Sequence, residues 1–237
     1  MQSCRRATFV SVVLDRDYDT LPSGGGQFMG RILIFGATGG TGKELVAQAL
    51  QRGHDVTAFV RDPGKLAVSH AHLRVQQGDL QEPETVRAAI PNHQAVLSAL
   101  GTRTLGKSTL LSDGLKVIIA AMTASGVRRL LWQSSLGVGE TRGQLGPLYN
   151  WILLPLLRNV FADKELQERI IRSSTLDWTI VQPASLTNGP RTEKYRAGPD
   201  ACRERRFPRI SRADVAHFML AEVEAPRYVR QPVTLCY

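Results

Sequence analysis

Cysteine is scarce in this chain: Cys4, Cys202 and Cys236 are scattered over 237 residues. So few thiols make no disulfide framework, and a reducing compartment is the simpler setting. No Cys-x-x-Cys occurs and the five histidines fall without ligand spacing, which leaves no zinc arrangement to consider. Long apolar runs are missing as well. The greasiest stretches, residues 117–121 and 151–157, stop far short of the roughly 20 apolar residues that a spanning helix needs. No membrane association is expected, and the cytoplasm is the expected location. Wholesale disorder is excluded in turn, because 43% of the residues are hydrophobic and they recur at regular intervals. That composition is enough for one globular domain with a sizeable core.

Charge is not balanced. Thirty Lys and Arg against 21 Asp and Glu leave a formal net charge of +9, compatible with nucleic acid, acidic lipid or a phosphorylated small ligand. The excess is concentrated: residues 191–212 hold eight basic side chains against Glu193, Asp200 and Glu204. No nucleic-acid reading module accompanies them, so no nucleic-acid partner is expected. A solvated basic loop and an attractor for an anionic group both remain open.

The first 28 residues do not match the rest of the chain. They lack both the long apolar core and the cleavage site of a secretory signal, and Asp15, Asp17 and Asp19 argue against a transit peptide. Residues 1–28 are expected to be a disordered leader, or to precede a true start at Met29. From Gly30 the pattern is regular. Arg31–Phe35 is a short apolar run, followed by Gly36-Ala37-Thr38-Gly39-Gly40-Thr41-Gly42 and by Leu45, Val46, Ala49 and Leu50 on one helical face, stopped at Gly53. Further strands are expected over 55–60, 73–75, 95–100, 127–132 and 178–181, with an edge strand over 233–236. Helices are expected over 83–90, 111–122, 162–173 and 213–223, the last opened by a capping box of Ser211 and Asp214. Strand and helix alternate throughout. The expectation for 29–237 is a single doubly wound α/β domain, its sheet mostly parallel and its helices on both faces.

Gly36-x-x-Gly39-x-x-Gly42 leaves a strand and opens a helix, the context in which a glycine fingerprint reads as dinucleotide binding. One glycine turns the chain out of the strand, the next admits backbone to a pyrophosphate, and the third lets helix pack on strand. The second strand ends at Arg61, nineteen residues past Gly42, where an NAD site would carry an acid. A guanidinium there can grip a 2′-phosphate, with Lys65 as a second charge, so NADP(H) is preferred over NAD. A plain surface arginine is the alternative. Asp79, at the end of the third strand, could accept from an adenine amino group or simply form a turn.

Together, the sequences GATGGTG, FVRDP, GDL, SALGTR, QSS, ADK, QPA and ISRADVAHFML resemble the atypical short-chain dehydrogenase/reductases, and within them the NmrA-like and biliverdin/flavin reductase-like branches. The resemblance runs from about Gly30 to the C-terminus. It implies a Rossmann fold binding NADP(H), with Thr38, Gly39, Gly40 and Thr41 at the phosphates, Arg61 at the 2′-phosphate, and Asp79 and Leu80 at the adenine. Leu100, Gly101 and Thr102 would lie beside the cofactor, Ser134 and Ser135 near the nicotinamide, and Pro183 and Ala184 beneath it. Ser135 matches an active-site serine of these relatives and Lys164 a lysine beside the nicotinamide ribose. A serine bonded to backbone and a surface lysine paired with Glu168 are the plainer readings of those two.

The departures narrow the chemistry. None of the five tyrosines has a lysine four residues later (Tyr149 is followed by Leu153), so the usual proton donor of carbonyl reduction is missing. The resemblance implies a histidine just after the proline of the sixth strand, but the chain reads Pro183-Ala184-Ser185, which sets biliverdin reduction in doubt. A flavin- or quinone-like small-molecule acceptor remains, served by a monomer or homodimer. The alternative is a non-enzymatic NADP(H)-binding redox sensor of the NmrA-like type.

Overall fold

The computed structural model describes residues 30–101, 106, 108–144, 154–203, 205 and 207–237. The leader, Thr102 and Tyr149 lie outside these residues. The fold opens with β1 (Arg31–Phe35), in which Ile32 and Ile34 join one apolar cluster and Leu33 and Phe35 the other, all four fully buried. A strand apolar on both faces belongs inside a sheet that helices cover twice.

After β1 the chain forms α1 (Gly40–Gln51), β2 (Asp55–Val60), β3 (Leu73–Gln77), α2 (Pro83–Ala89), β4 (Ala95–Ser98), α3 (Leu110–Ser125) and β5 (Arg129–Gln133). Next come α4 (Leu154–Arg172), β6 (Asp177–Pro183), β7 (Ser185–Thr187), β8 (Arg196–Gly198), β9 (Arg209–Ser211), α5 (Arg212–Glu224) and β10 (Gln231–Cys236). The main sheet has eight strands in the order β3-β2-β1-β4-β5-β6-β10-β8, parallel except for β8. One core packs α1 and α5 against the sheet, with Leu45, Val46 and Phe218 on Ile32, Ile34 and Val181. The other packs α2, α3 and α4, with Val86, Leu115, Ile118 and Ile171 on Leu33, Phe35 and Ile180. This is the expected Rossmann arrangement, a doubly wound sheet with helices on both faces.

Three expectations need correction. The C-terminal strand is not an edge: β10 lies between β6 and β8, because β8 folds back antiparallel onto it. The stretch read only as a basic loop contains β8 and β9, and β9 pairs with β7 in a second, two-stranded sheet. The capping box is half realised. Ser211 Oγ accepts from the Asp214 backbone N–H at 3.0 Å, but the Asp214 carboxylate turns to Thr192, the Glu193 N–H and the Tyr237 hydroxyl. It thereby ties the start of the basic segment to α5. Cys202 and Cys236, distant in sequence, are both buried in the same apolar cluster.

Candidate cofactor and active site

In this topology the chain leaves β1 for β2 on one side and finds β4 on the other, so a crevice opens at their carboxyl ends, where doubly wound folds bind ligands. Gly36 has φ +77°, and a Cβ there would stand 2.7 Å from the Ala99 carbonyl oxygen at the end of β4. The Gly39 N–H donates back to the Gly36 carbonyl at 2.9 Å, closing the turn. At Gly42 a Cβ would fall 2.0 Å from the Gly36 oxygen, so only glycine lets α1 pack this closely.

Helix α1 then starts on Gly39 with no side-chain cap and no acidic residue in its first turn. By contrast, α5 has both, in Ser211 and Asp214. The exposed N–H donors and positive dipole end of α1 are thus left to an external anion. Thr38 is half-buried and Thr41 nearly fully buried beside them. A dinucleotide's phosphates fit this cradle, since backbone donors are offered where side chains are excluded.

Along the same rim, Arg61 follows β2 and is exposed, its own carbonyl accepting from Gln77 Nε2 at 3.3 Å. Lys65 is not a second free charge, because it pairs with Asp62 at 3.2 Å. Asp79 does form a turn: its Oδ1 accepts from the Gln81 N–H at 3.0 Å. Leu80 packs on Gly114 of α3, where a Cβ would come within 3.1 Å of it. Leu100 is half-buried with its N–H on Ser98 Oγ, and Gly101 faces open space.

At the ends of β5 and β6, Ser134 and Ser135 lie next to Pro183 and Ala184, with the Ser134 N–H on the Val181 carbonyl at 2.7 Å and the Leu136 N–H on that of Pro183 at 2.9 Å. Ser135 Oγ donates to the Leu136 carbonyl at 3.2 Å, so the plainer reading of this serine also holds. Behind them is a polar cluster that sequence reasoning misplaced. Glu168 was paired with Lys164 on the surface, yet it is 3% exposed and accepts from Gln182 Nε2 at 2.9 and 3.1 Å. Arg172 stands 3.9 Å from it. Burial pushes the Glu168 carboxyl up, while Ser134, Gln182, Arg172 and Lys164 oppose the rise. Burial also pushes the half-buried Lys164 ammonium down, against the pull of Glu168 and Asp163.

Ser134 Oγ is close enough to influence Glu168 but lacks hydrogen-bond geometry to it. With Gln133 Oε1 and Gln182 Oε1 it makes three buried polar atoms at these strand ends without a partner among the described residues. Gln133 lies in register with Val181 on the α1 and α5 face, whereas Gln182 turns to Glu168 of α4; buried polar groups normally find partners, and the amide of a nicotinamide ring offers one to Ser134 and Gln182. Glu168 and Gln182 were legible only as Lys164-x-x-x-Glu168 spacing and as part of the QPA motif.

Residues 36–226 match the profile of the family described as NAD(P)H-binding. An uncharacterized Bacillus subtilis protein, YwnB, is 30% identical over 86% of this chain and 97% of its own length. YhfK of the same organism, named an uncharacterized sugar epimerase, is 29% identical over 82% of this chain and 88% of its own. The chain spans only 61% and 46% of the first two curated relatives it matches. Among solved structures, a Veillonella parvula short-chain dehydrogenase/reductase in complex with NADP superposes with a TM-score of 0.72 at 21% identity, covering 88% of this chain and 94% of that one. ChuY of Escherichia coli O157:H7, described as an anaerobilin reductase, gives 0.73 at 23% identity, covering 87% and 96%. At these identities the two structures bear on the fold alone. No helix among the described residues is long and apolar enough to cross a membrane.

Proposed function

The chain belongs to the NAD(P)H-binding family, and on that footing we propose that it is an NADPH-dependent oxidoreductase that passes a hydride to a flat flavin- or quinone-like acceptor. The observation that carries this reading is what stands at the strand ends beside the glycine cradle: two serine hydroxyls and partnerless buried polar atoms, in a chain with no Tyr-x-x-x-Lys pair. Carbonyl reduction and sugar epimerisation through a keto intermediate both call for a positioned acid. A planar ring that takes its last proton from water does not, so orientation is all the protein must add.

In this reading the first turn of α1, with Thr38, Gly39, Gly40 and Thr41, holds the phosphates, and Arg61 the 2′-phosphate. Asp79 and Leu80 line the adenine, and Leu100 and Gly101 lie beside the cofactor. Bound NADPH supplies the hydride. Ser134 Oγ and the free amide oxygen of Gln182 fix the nicotinamide above Pro183 and Ala184, Lys164 holds its ribose, and Ser135 hydrogen-bonds the acceptor.

The test is stopped-flow oxidation of bound NADPH against flavins, quinones and tetrapyrroles. Ser135→Ala should lower kcat with little change in cofactor affinity, because a contact stronger in the transition state acts on turnover. Lys164→Ala should weaken NADPH binding as well. Traces that stay flat with every acceptor, while NADPH binds normally, would end the oxidoreductase reading and leave the redox sensor.

A further inference from the structure

Beyond the residues already assigned, we propose that Arg212 is a phosphate clamp, gripping the cofactor's pyrophosphate jointly with the first turn of α1. The proposal rests on the reading that this chain binds a dinucleotide at its glycine loop. Arg212 opens α5, far along the chain, yet its side chain lies on Gly40: a Cβ there would stand 2.5 Å from Arg212 Cδ, 2.7 Å from Nε and 3.6 Å from Cζ. Packing of α1 on α5 holds this juxtaposition, with Gln48 Nε2 donating to the Ala213 carbonyl at 2.9 Å.

A guanidinium is ill-placed beside a helix amino terminus, since both are positive. The first turn of α1 carries no acid, and Arg212 forms no ion pair among the described residues. Its guanidinium partner is the neutral Asn188 Oδ1, at 2.6 Å. The acid nearest in sequence, Asp214, is engaged by Thr192, the Glu193 N–H and Tyr237. The carboxylate nearest on this seam, Glu44, is engaged by Gln48 Nε2 at 3.3 Å and makes no salt bridge to Arg212; an anion that touches both positive features would offset them, and the planar fork of arginine matches phosphate oxygens. This also separates Arg212 from the rest of the basic segment, and it explains Gly40, where a side chain would displace the clamp.

A pyrophosphate clamp does not sense the 2′-phosphate. Arg212→Ala should therefore weaken NADPH and NADH alike, by about tenfold or more, and leave adenosine 2′-monophosphate, which has no pyrophosphate, unchanged. Arg212→Lys should recover part of the loss, and inorganic pyrophosphate should raise the melting temperature of the unmutated protein more than that of Arg212→Ala. Unchanged dinucleotide affinities in Arg212→Ala would overturn the proposal, as would a loss extending equally to adenosine 2′-monophosphate, which would mark a structural role. If the unmutated protein binds neither dinucleotide, the cofactor reading falls first and the clamp with it.

Discussion

Replacing Arg61 with alanine isolates the choice between the two nicotinamide cofactors. The side chain is exposed at the end of β2, so its contact with a 2′-phosphate would be made near water. Two unit charges about 4 Å apart are worth about 1 kcal/mol in water and about 4 kcal/mol at the effective dielectric of a protein surface. A charge-assisted hydrogen bond contributes about 1.5–3 kcal/mol. No second cation should add to this, because Lys65 is held by Asp62 at 3.2 Å. An expected loss of about 1.5–2.5 kcal/mol corresponds to a roughly ten- to seventyfold weaker NADPH complex, with NADH binding nearly unchanged. Titrating the nicotinamide fluorescence gives both affinities. Exposure adds a further check, since the preference for NADPH should shrink as salt rises from about 0.05 M to about 0.5 M. Equal affinities for NADPH and NADH in the unmutated protein, or an equal loss of both in the variant, would show that Arg61 does not hold a 2′-phosphate.

Gly42→Ala forces a Cβ to within 2.0 Å of backbone that no rotamer change can move, so a loss of about 2–3 kcal/mol and a melting temperature lower by roughly 4–12 °C are expected; Gly101→Ala, with nothing among the described residues within 4 Å, should melt unchanged. Burial pushes the Asp214 carboxyl up, but hydrogen bonds from Tyr237, Glu193 and Thr192 outweigh it and hold the pKa below the ordinary value. Its stabilising effect is therefore full above the ordinary carboxylate range and lost as pH falls through the depressed pKa. Asp214→Asn should lower the melting temperature at neutral pH, and the gap to the unmutated protein should close below about pH 4; a gap independent of pH would contradict this. We also propose that the fold is complete from Met29, so a chain beginning there should match the full chain in melting temperature and NADPH affinity.

The parallel sheet was legible because its strands are apolar on both faces and alternate with amphipathic helices. Arg31–Phe35 and Asp55–Val60 appear as read, and other boundaries move by a few residues, most of all the start of α4. What escaped had no period to show. The strands β7, β8 and β9 are three residues each, too short for alternation to register. The interior position of β10 depends on β8 returning to it, a long-range pairing invisible in local sequence. The glycine loop was readable because each glycine answers a steric demand. Glu168 was misread because a Lys and a Glu four apart look alike whether they face water or Gln182. Arg212 was counted with its basic neighbours, since only the packing of α5 on α1 brings it to Gly40.

Single-turnover oxidation of NADPH deuterated at either face of C4 separates hydride transfer from sensing. A flavin, quinone or similarly flat acceptor should oxidise the bound cofactor, with one of the two labelled forms reacting more slowly and losing its deuterium from the nicotinamide. Tight binding of NADPH that no acceptor in the panel oxidises would rule hydride transfer out.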